Sequence, residues 1–298
     1  SRLLAARNAT NEAMLGFLED LLRQGDPRHA GAGELLSAAA LEQAAAELQE
    51  RLTDQPEARA RLLNTLGRVH LARHELLLSA RRHADAMRLA RTHALPETLD
   101  SALQGLATAG SWSGDYAQSE AHLRELLAIR REAYGEADGS VAETQLLLAD
   151  LLHSRGEYAA ALEFARAAER NGQRPVASGR VLSMILRDLG DFDSAHGLLA
   201  RSLQLELSRQ PARALHQVEL LYYQALLMLH MGRLDAARSA LSDAERVRLA
   251  MIGDRWTGLV WSRHWRALLA LAEGEVEEAA ALLDRMLVDY EKHLGEAS

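Results

Sequence analysis

A short motif recurs through the chain. Gly114-Asp-Tyr116, Gly156-Glu-Tyr158, Gly190-Asp-Phe192, Gly232-Arg-Leu234 and Gly274-Glu-Val276 are each followed, three residues on, by a small residue: Ser119, Ala161, Ala195, Ala237 and Ala279. A helix-turn-helix unit written several times cannot bury its apolar face alone, so its core lies between neighbouring units and not around one centre. Each turn glycine ends the first helix of a unit, helix A, in a left-handed conformation that costs little without a side chain. The large residue two places on begins helix B and plugs the gap between the helices. The small residue after it marks their crossing, where a bulkier group would push them apart. Gly67, Ala107, Ala149, Ala225 and Ala267, mid-way along helix A, make the matching close contact from the other side.

The turn glycines lie 42, 34, 42 and 42 residues apart. Thirty-four residues is the tetratricopeptide period, and 42 adds two helical turns. An earlier unit, from about Ala60 to Arg91, has Gly67 in helix A and His74 at the turn. The expected fold is all-α: a right-handed α-solenoid of tetratricopeptide-like repeats behind a two-helix N-terminal cap. The cap spans 1–54 and the repeats 55–298, as six units at about 60–92, 97–134, 139–172, 175–207, 213–252 and 256–293. In the cap, Met14, Leu15, Leu18, Leu21 and Leu22 follow helical spacing up to Gly25-Asp26-Pro27, and Leu35, Leu41, Leu48 and Leu52 mark a second helix. Three departures stand out. Polar Gln224 and Arg266 occupy positions expected to be buried leucine, Gly110 replaces a large core residue, and the short connector Asn171–Pro175 is expected to bend the array.

Composition sets limits. The chain is 48% hydrophobic but only 4% aromatic, and it is rich in strong helix formers. No alternating strand pattern is long enough to compete. The longest uncharged stretch, Leu220–Gly232, is shorter than the roughly 20 residues that cross a bilayer. A net charge of −8 without a basic block lacks the electrostatic footprint of a nucleic-acid binder. Only one of the 34 basic residues is lysine, Lys292, an arginine bias read as composition and not as phosphate recognition. The absence of cysteine excludes disulfides, thiolate catalysis and thiolate zinc sites.

The run Asn11-Glu-Ala-Met-Leu-Gly-Phe-Leu-Glu-Asp-Leu-Leu22, then Gly25-Asp-Pro27, Leu41-Glu-Gln-Ala-Ala-Ala-Glu-Leu48 and Asp54-Gln-Pro-Glu-Ala-Arg-Ala-Arg-Leu-Leu-Asn-Thr-Leu-Gly-Arg-Val69 resembles the segment after the transmembrane helix in bacterial serine/threonine protein kinases with a tetratricopeptide C-terminal region. The 42-residue units, with connectors such as Arg131–Asp138, are similar to the kinesin-light-chain type of repeat. The resemblance implies a cytoplasmic kinase domain, one membrane span and a repeat array on the periplasmic side that senses or binds proteins. A cytoplasmic location is the alternative. The chain itself has no glycine-rich phosphate loop, His-Arg-Asp loop or metal-binding Asp-Phe-Gly, Gly190-Asp-Phe192-Asp being a repeat turn. It starts without methionine and ends, at Leu294–Ser298, like the beginning of another connector, so it reads as a fragment of a longer protein.

Tetratricopeptide arrays line their concave face with helix A residues, along which a peptide lies. Counted from the turns, this face is expected to carry Arg61, Asn64 and Arg68 in the first unit, Gln104, Thr108 and Trp112 in the second, and Asp150 and His153 in the third. It continues with Arg180, Met184 and Arg187, then Glu219, Tyr222 and Leu226, and finally Trp261, His264 and Leu268. Arg and Asn at one end suit an acidic or carboxylate group, and aromatics at the other suit an apolar anchor. Trp256, Trp261 and Trp265 fall within ten residues. Trp261 and Trp265 share a helix face, open either to packing between repeats five and six or to contact with a partner. Tyr222 and Tyr223 are open in the same way.

His70 and His74 have metal-ligand spacing on a helix, but no third ligand is placed to complete a site, and no metal is expected. No catalytic constellation rises above the 42 acids and 12 histidines, so neither an enzyme nor a cofactor is expected within this chain. The expected role is a non-catalytic protein- or peptide-binding region, with a protein or peptide ligand on the concave face, no nucleic acid, and a membrane only through a span outside this chain. Self-association into a homodimer is open. The alternatives are a dimerisation or spacer region without a ligand and the repeat domain of a cytoplasmic transcription regulator.

Overall fold

The computed structural model describes residues 52–208, 214–252 and 256–294. The expected cap helices fall in residues 1–51, outside the described residues. The described residues are helices, turns and bends without a strand. They form twelve helices in six antiparallel pairs: α1 (Pro56–Ala72) with α2 (Leu76–Thr92), α3 (Pro96–Ser113) with α4 (Tyr116–Tyr134), α5 (Gly139–Ser154) with α6 (Tyr158–Asn171), α7 (Pro175–Asp188) with α8 (Phe192–Leu207), α9 (Ala214–His230) with α10 (Leu234–Ile252), and α11 (Trp256–Glu273) with α12 (Val276–Leu294). The odd-numbered helices are the A helices. The chain divides into two compact units, Ser1–Gly135 and Glu136–Ser298.

The turns show why glycine recurs. After α5, Glu157 N–H donates to the Leu152 carbonyl and Gly156 N–H to that of His153, a Schellman closure that requires a left-handed residue between them. The same pair of bonds closes α7, α9 and α11. Gly156 has φ +77°, and the first unit does the same with a non-glycine, His74, at φ +62°. Starts are set by proline at the head of α1, α3 and α7 and by Asp115, Asp138 and Asp191, whose carboxylates accept backbone N–H bonds from the first turn.

The crossing residues Ser79, Ser119, Ala161, Ala195, Ala237 and Ala279 are all buried, as are Gly67, Ala107, Ala149, Ala225 and Ala267 opposite them. Where serine replaces alanine at 119, Gly110 makes the room, since a Cβ there would collide with the Ser119 hydroxyl. That collision accounts for the glycine at a position where a large core residue was expected. The register also holds through Gln224, half-buried, and Arg266, exposed, because Ala225 and Ala267 beside them are buried. One expected plug does not fill a gap: Val276 is 59% exposed, whereas Tyr116, Tyr158, Phe192 and Leu234 are half-buried.

Candidate functional site

In the first unit, the A helices α1 and α3 border a cavity of about 530 Å³, walled by Glu57, Arg61, Asn64 and Arg68 on one side and by Glu97, Thr98 and Ser101 on the other. The three residues expected on the first-unit face are thus brought together. Arg61 and Arg68 are exposed, and Arg68 donates to the Thr65 hydroxyl. Asn64 is buried in the cavity floor, where its Nδ2 donates to the Thr98 carbonyl at 3.0 Å and its Oδ1 meets His83 Nδ1 at 3.0 Å. Gln104 of α3 accepts from Arg130, which also forks onto both oxygens of Asp100 at 2.7 Å. Arg130 is buried, and this bidentate geometry is the strong form of the pair.

The second unit repeats the arrangement. A cavity of about 550 Å³ lies between α7 and α9, walled by Arg174, Ala177 and Arg180 and by His216, Glu219 and Leu220. Counted from the turns, Arg180 stands where Asn64 stands in the first unit. Arg180 donates to Asp150 Oδ2 of α5 at 3.3 Å, faces Glu219 Oε1 of α9 at 3.4 Å, and lies over the Tyr223 ring, 5.5 Å from its centre. Burial alone would lower its pKa, but the carboxylates of Asp150 and Glu219 outweigh that and hold it above the ordinary arginine value. Burial pushes the Tyr223 hydroxyl pKa up. One turn along, His153 Nε2 lies 2.6 Å from Asp188 Oδ2, and Arg187 donates to both oxygens of Asp188 at 2.6 and 2.9 Å. Burial would raise the Asp188 pKa, yet the hydrogen bonds from Arg187 and His153 prevail and hold it below the usual carboxylate range. Three successive A helices, α5, α7 and α9, are therefore joined by charged side chains along one face.

Residues 98–174, from α3 to the start of α7, match the family model of the tetratricopeptide repeat. That segment is a tetratricopeptide repeat region. No curated protein matches the chain. Among solved structures it is similar to aspartyl phosphate phosphatase F from Bacillus subtilis, with a TM-score of 0.67 at 13% identity over 98% of this chain and 75% of that one. A Rap protein complexed with Competence and Sporulation Factor gives 0.62 at 17% identity over 87% and 71%. The TPR-like repeats of a protein described as a kinesin light chain from Podosopora anserina give 0.51 at 19% identity over 66% and 96%. Likeness at these identities carries the fold.

Other residues expected on the tetratricopeptide face are used differently. Tyr222, placed on the concave face by its spacing and left between packing and partner contact, is buried and stacked on Trp265, with ring centres 5.5 Å apart and planes inclined by 13°. Its neighbour Tyr223 is the one that meets Arg180. Trp265 packs against the core of repeat five, so of its two open uses it takes packing between repeats. His264 is half-buried, edge-on to Trp265, and burial lowers its pKa. The side chains of Trp256 and Trp261 lie outside the described residues. Trp112, 54% exposed, sits at the turn end of α3 with its ring 5.5 Å from that of His74. His70 is buried and held 2.5 Å from Glu75, while the His74 ring lies against Trp112. Asp188, Asp100 and His83 were not among the residues the sequence singled out. The signal for His83 was present in the two glycines that flank it, Gly67 and Gly105.

Proposed function

We propose that the chain is a protein-interaction scaffold that holds an extended segment of a partner along its A-helix faces. The observation that carries this reading is the recurrence, at equivalent places in both units, of a polar cavity between successive A helices. An extended chain offers backbone N–H and carbonyl groups at regular spacing, and Asn64, Gln104, Arg180 and Tyr223 supply donors and acceptors at a comparable repeat along each face. In the first unit Arg61 and Arg68 share the cavity wall with Glu57 and Glu97, so the site offers a partner both signs of charge. In the second, Arg180 is already balanced by Asp150 and Glu219, so recognition there rests on hydrogen bonding and on the Tyr223 ring. That a similar fold was solved with Competence and Sporulation Factor supports a face able to receive such a partner.

The sequence resemblance running from Asn11 to Val69 supports a sharper context, the extracytoplasmic regulatory part of a membrane-anchored bacterial serine/threonine kinase. Photo-crosslinking from positions 61 and 180 in the native host tests the scaffold. Crosslinks to a partner from these positions, and not from exposed Arg246 on helix B, are expected. Equal labelling from all three would overturn the face assignment, and crosslinks to a second copy alone would favour the dimerisation reading. Blotting fractionated cells tests the context: a much larger membrane-bound species, cut by protease from outside, is expected, and a soluble band near 32.7 kDa would sink it.

A further inference from the structure

His83 belongs to α2, yet its ring lies between two A helices. It is 1% exposed, and Gly67 of α1 and Gly105 of α3 close on it from either side. A Cβ added at Gly67 would fall 2.5 Å from Nε2, and one at Gly105 would fall closer still. The two glycines therefore exist to admit an imidazole. The ring's hydrogen bonding follows from one anchor. Asn64 Nδ2 donates to the Thr98 carbonyl, and the reverse orientation of the amide would set oxygen against oxygen. Asn64 Oδ1 is thereby turned to His83, so His83 Nδ1 must carry the ring proton. Nε2 is left as a bare lone pair, buried and without a hydrogen-bond partner.

Asn64 and Thr98 are also walls of the cavity between α1 and α3. We propose that His83 is a positioning residue for that cavity: neutral and protonated on Nδ1, it holds Asn64 against Thr98 across the two A helices, and protonation of Nε2 releases that wall. The inference does not depend on what the cavity receives. A proton on Nε2 would sit between two closely packed glycines with no acceptor, and such a buried, unpaired charge is costly. The charged and titratable groups facing the ring are Arg68 and His70, both on α1, while α3 presents Gly105. Burial first, then Arg68 and His70, lower the His83 pKa from 6.5 to about 4. The folded state thus binds fewer protons than the unfolded state between those values. Stability is full above pH 6.5 and falls as pH drops towards 4.

The full chain, labelled with 15N-histidine, supplies the test. At neutral pH the His83 Nε2 resonance is expected at the position of an unprotonated ring nitrogen and Nδ1 at that of a protonated one. After correction for intrinsic rates, the opening equilibrium of α1–α3 measured by hydrogen exchange should rise on the order of 100-fold between pH 6.5 and 4. In His83→Leu that acid-dependent rise should disappear, whatever the baseline stability. A proton found on Nε2, a His83 titration at the unperturbed value, or an acid dependence that survives in H83L would overturn the proposal. Should H83L fail to fold, the tautomer and the titration of the native chain decide alone.

Discussion

Gly156 and Ala94 occupy the same strained region of backbone space with opposite consequences. At Gly156, φ is +77° and an added Cβ would meet nothing within 4 Å, so the penalty for a side chain there is purely conformational. Gly156→Ala should cost about 1 kcal/mol, since a left-handed L-residue costs roughly 1–2 kcal/mol and glycine's extra chain entropy offsets part of it. Ala94 follows α2 at φ +52° without that relief. Ala94→Gly should therefore stabilise, by up to about 1 kcal/mol. Thermal melts of the two variants should move in opposite directions, and a fall in both would show that Ala94 makes contacts that outweigh its strain. His74, also left-handed, should gain less from glycine because its ring packs on Trp112.

Between helices, the His153–Asp188–Arg187 cluster ties α5 to α7. Asp188 carries a pKa held below its unfolded value, so its contribution is present above pH 3.8 and is lost as pH falls through the folded value. Asp188→Asn keeps the shape but weakens both bonds, and at neutral pH it should cost about 1 kcal/mol, with the side chain one-fifth exposed and partly screened. The variant's stability should also fall less than the wild type's below pH 3.8, and parallel acid titrations of the two would refute this role for Asp188. The turns, crossings and pairing of these helices were legible in the sequence because glycine, alanine and aromatic residues mark them at a fixed period. Which neighbour faces the groove was not. Adjacent residues on a helix point about 100° apart, so a small rotation of α9 sends Tyr222 to Trp265 and leaves Tyr223 to Arg180. His83 was hidden for a related reason, because glycines 38 residues apart declare a shared partner only once two A helices are seen to close on one ring.

At the scale of the molecule, the question is how much of the chain each unit needs in order to fold. The second unit carries its own core. One cluster centres on Leu146, Leu152, Ala165 and Ile185, the next on Leu199, Leu220, Leu227 and Leu241, and Leu186 packs against both. Its first connector is fastened from within, because Asn171 donates to the Glu136 and Asp138 carbonyls and Gln145 donates to the Glu136 carboxylate. Repeat arrays gain stability from each unit and its immediate neighbours, not from distant parts of the chain. Residues 136–298 produced alone should therefore keep native helical circular dichroism and unfold cooperatively, and beginning instead at Gly139, without Glu136 and its bonds, should lower the melting temperature. If 136–298 were unstructured, the cores of α5–α10 would depend on the first unit, and the separation at Gly135 would describe geometry without energetic meaning. If it folds and still crosslinks a partner from position 180, the second unit is sufficient for recognition, and the cavity of Arg61 and Arg68 adds a second, separable contact.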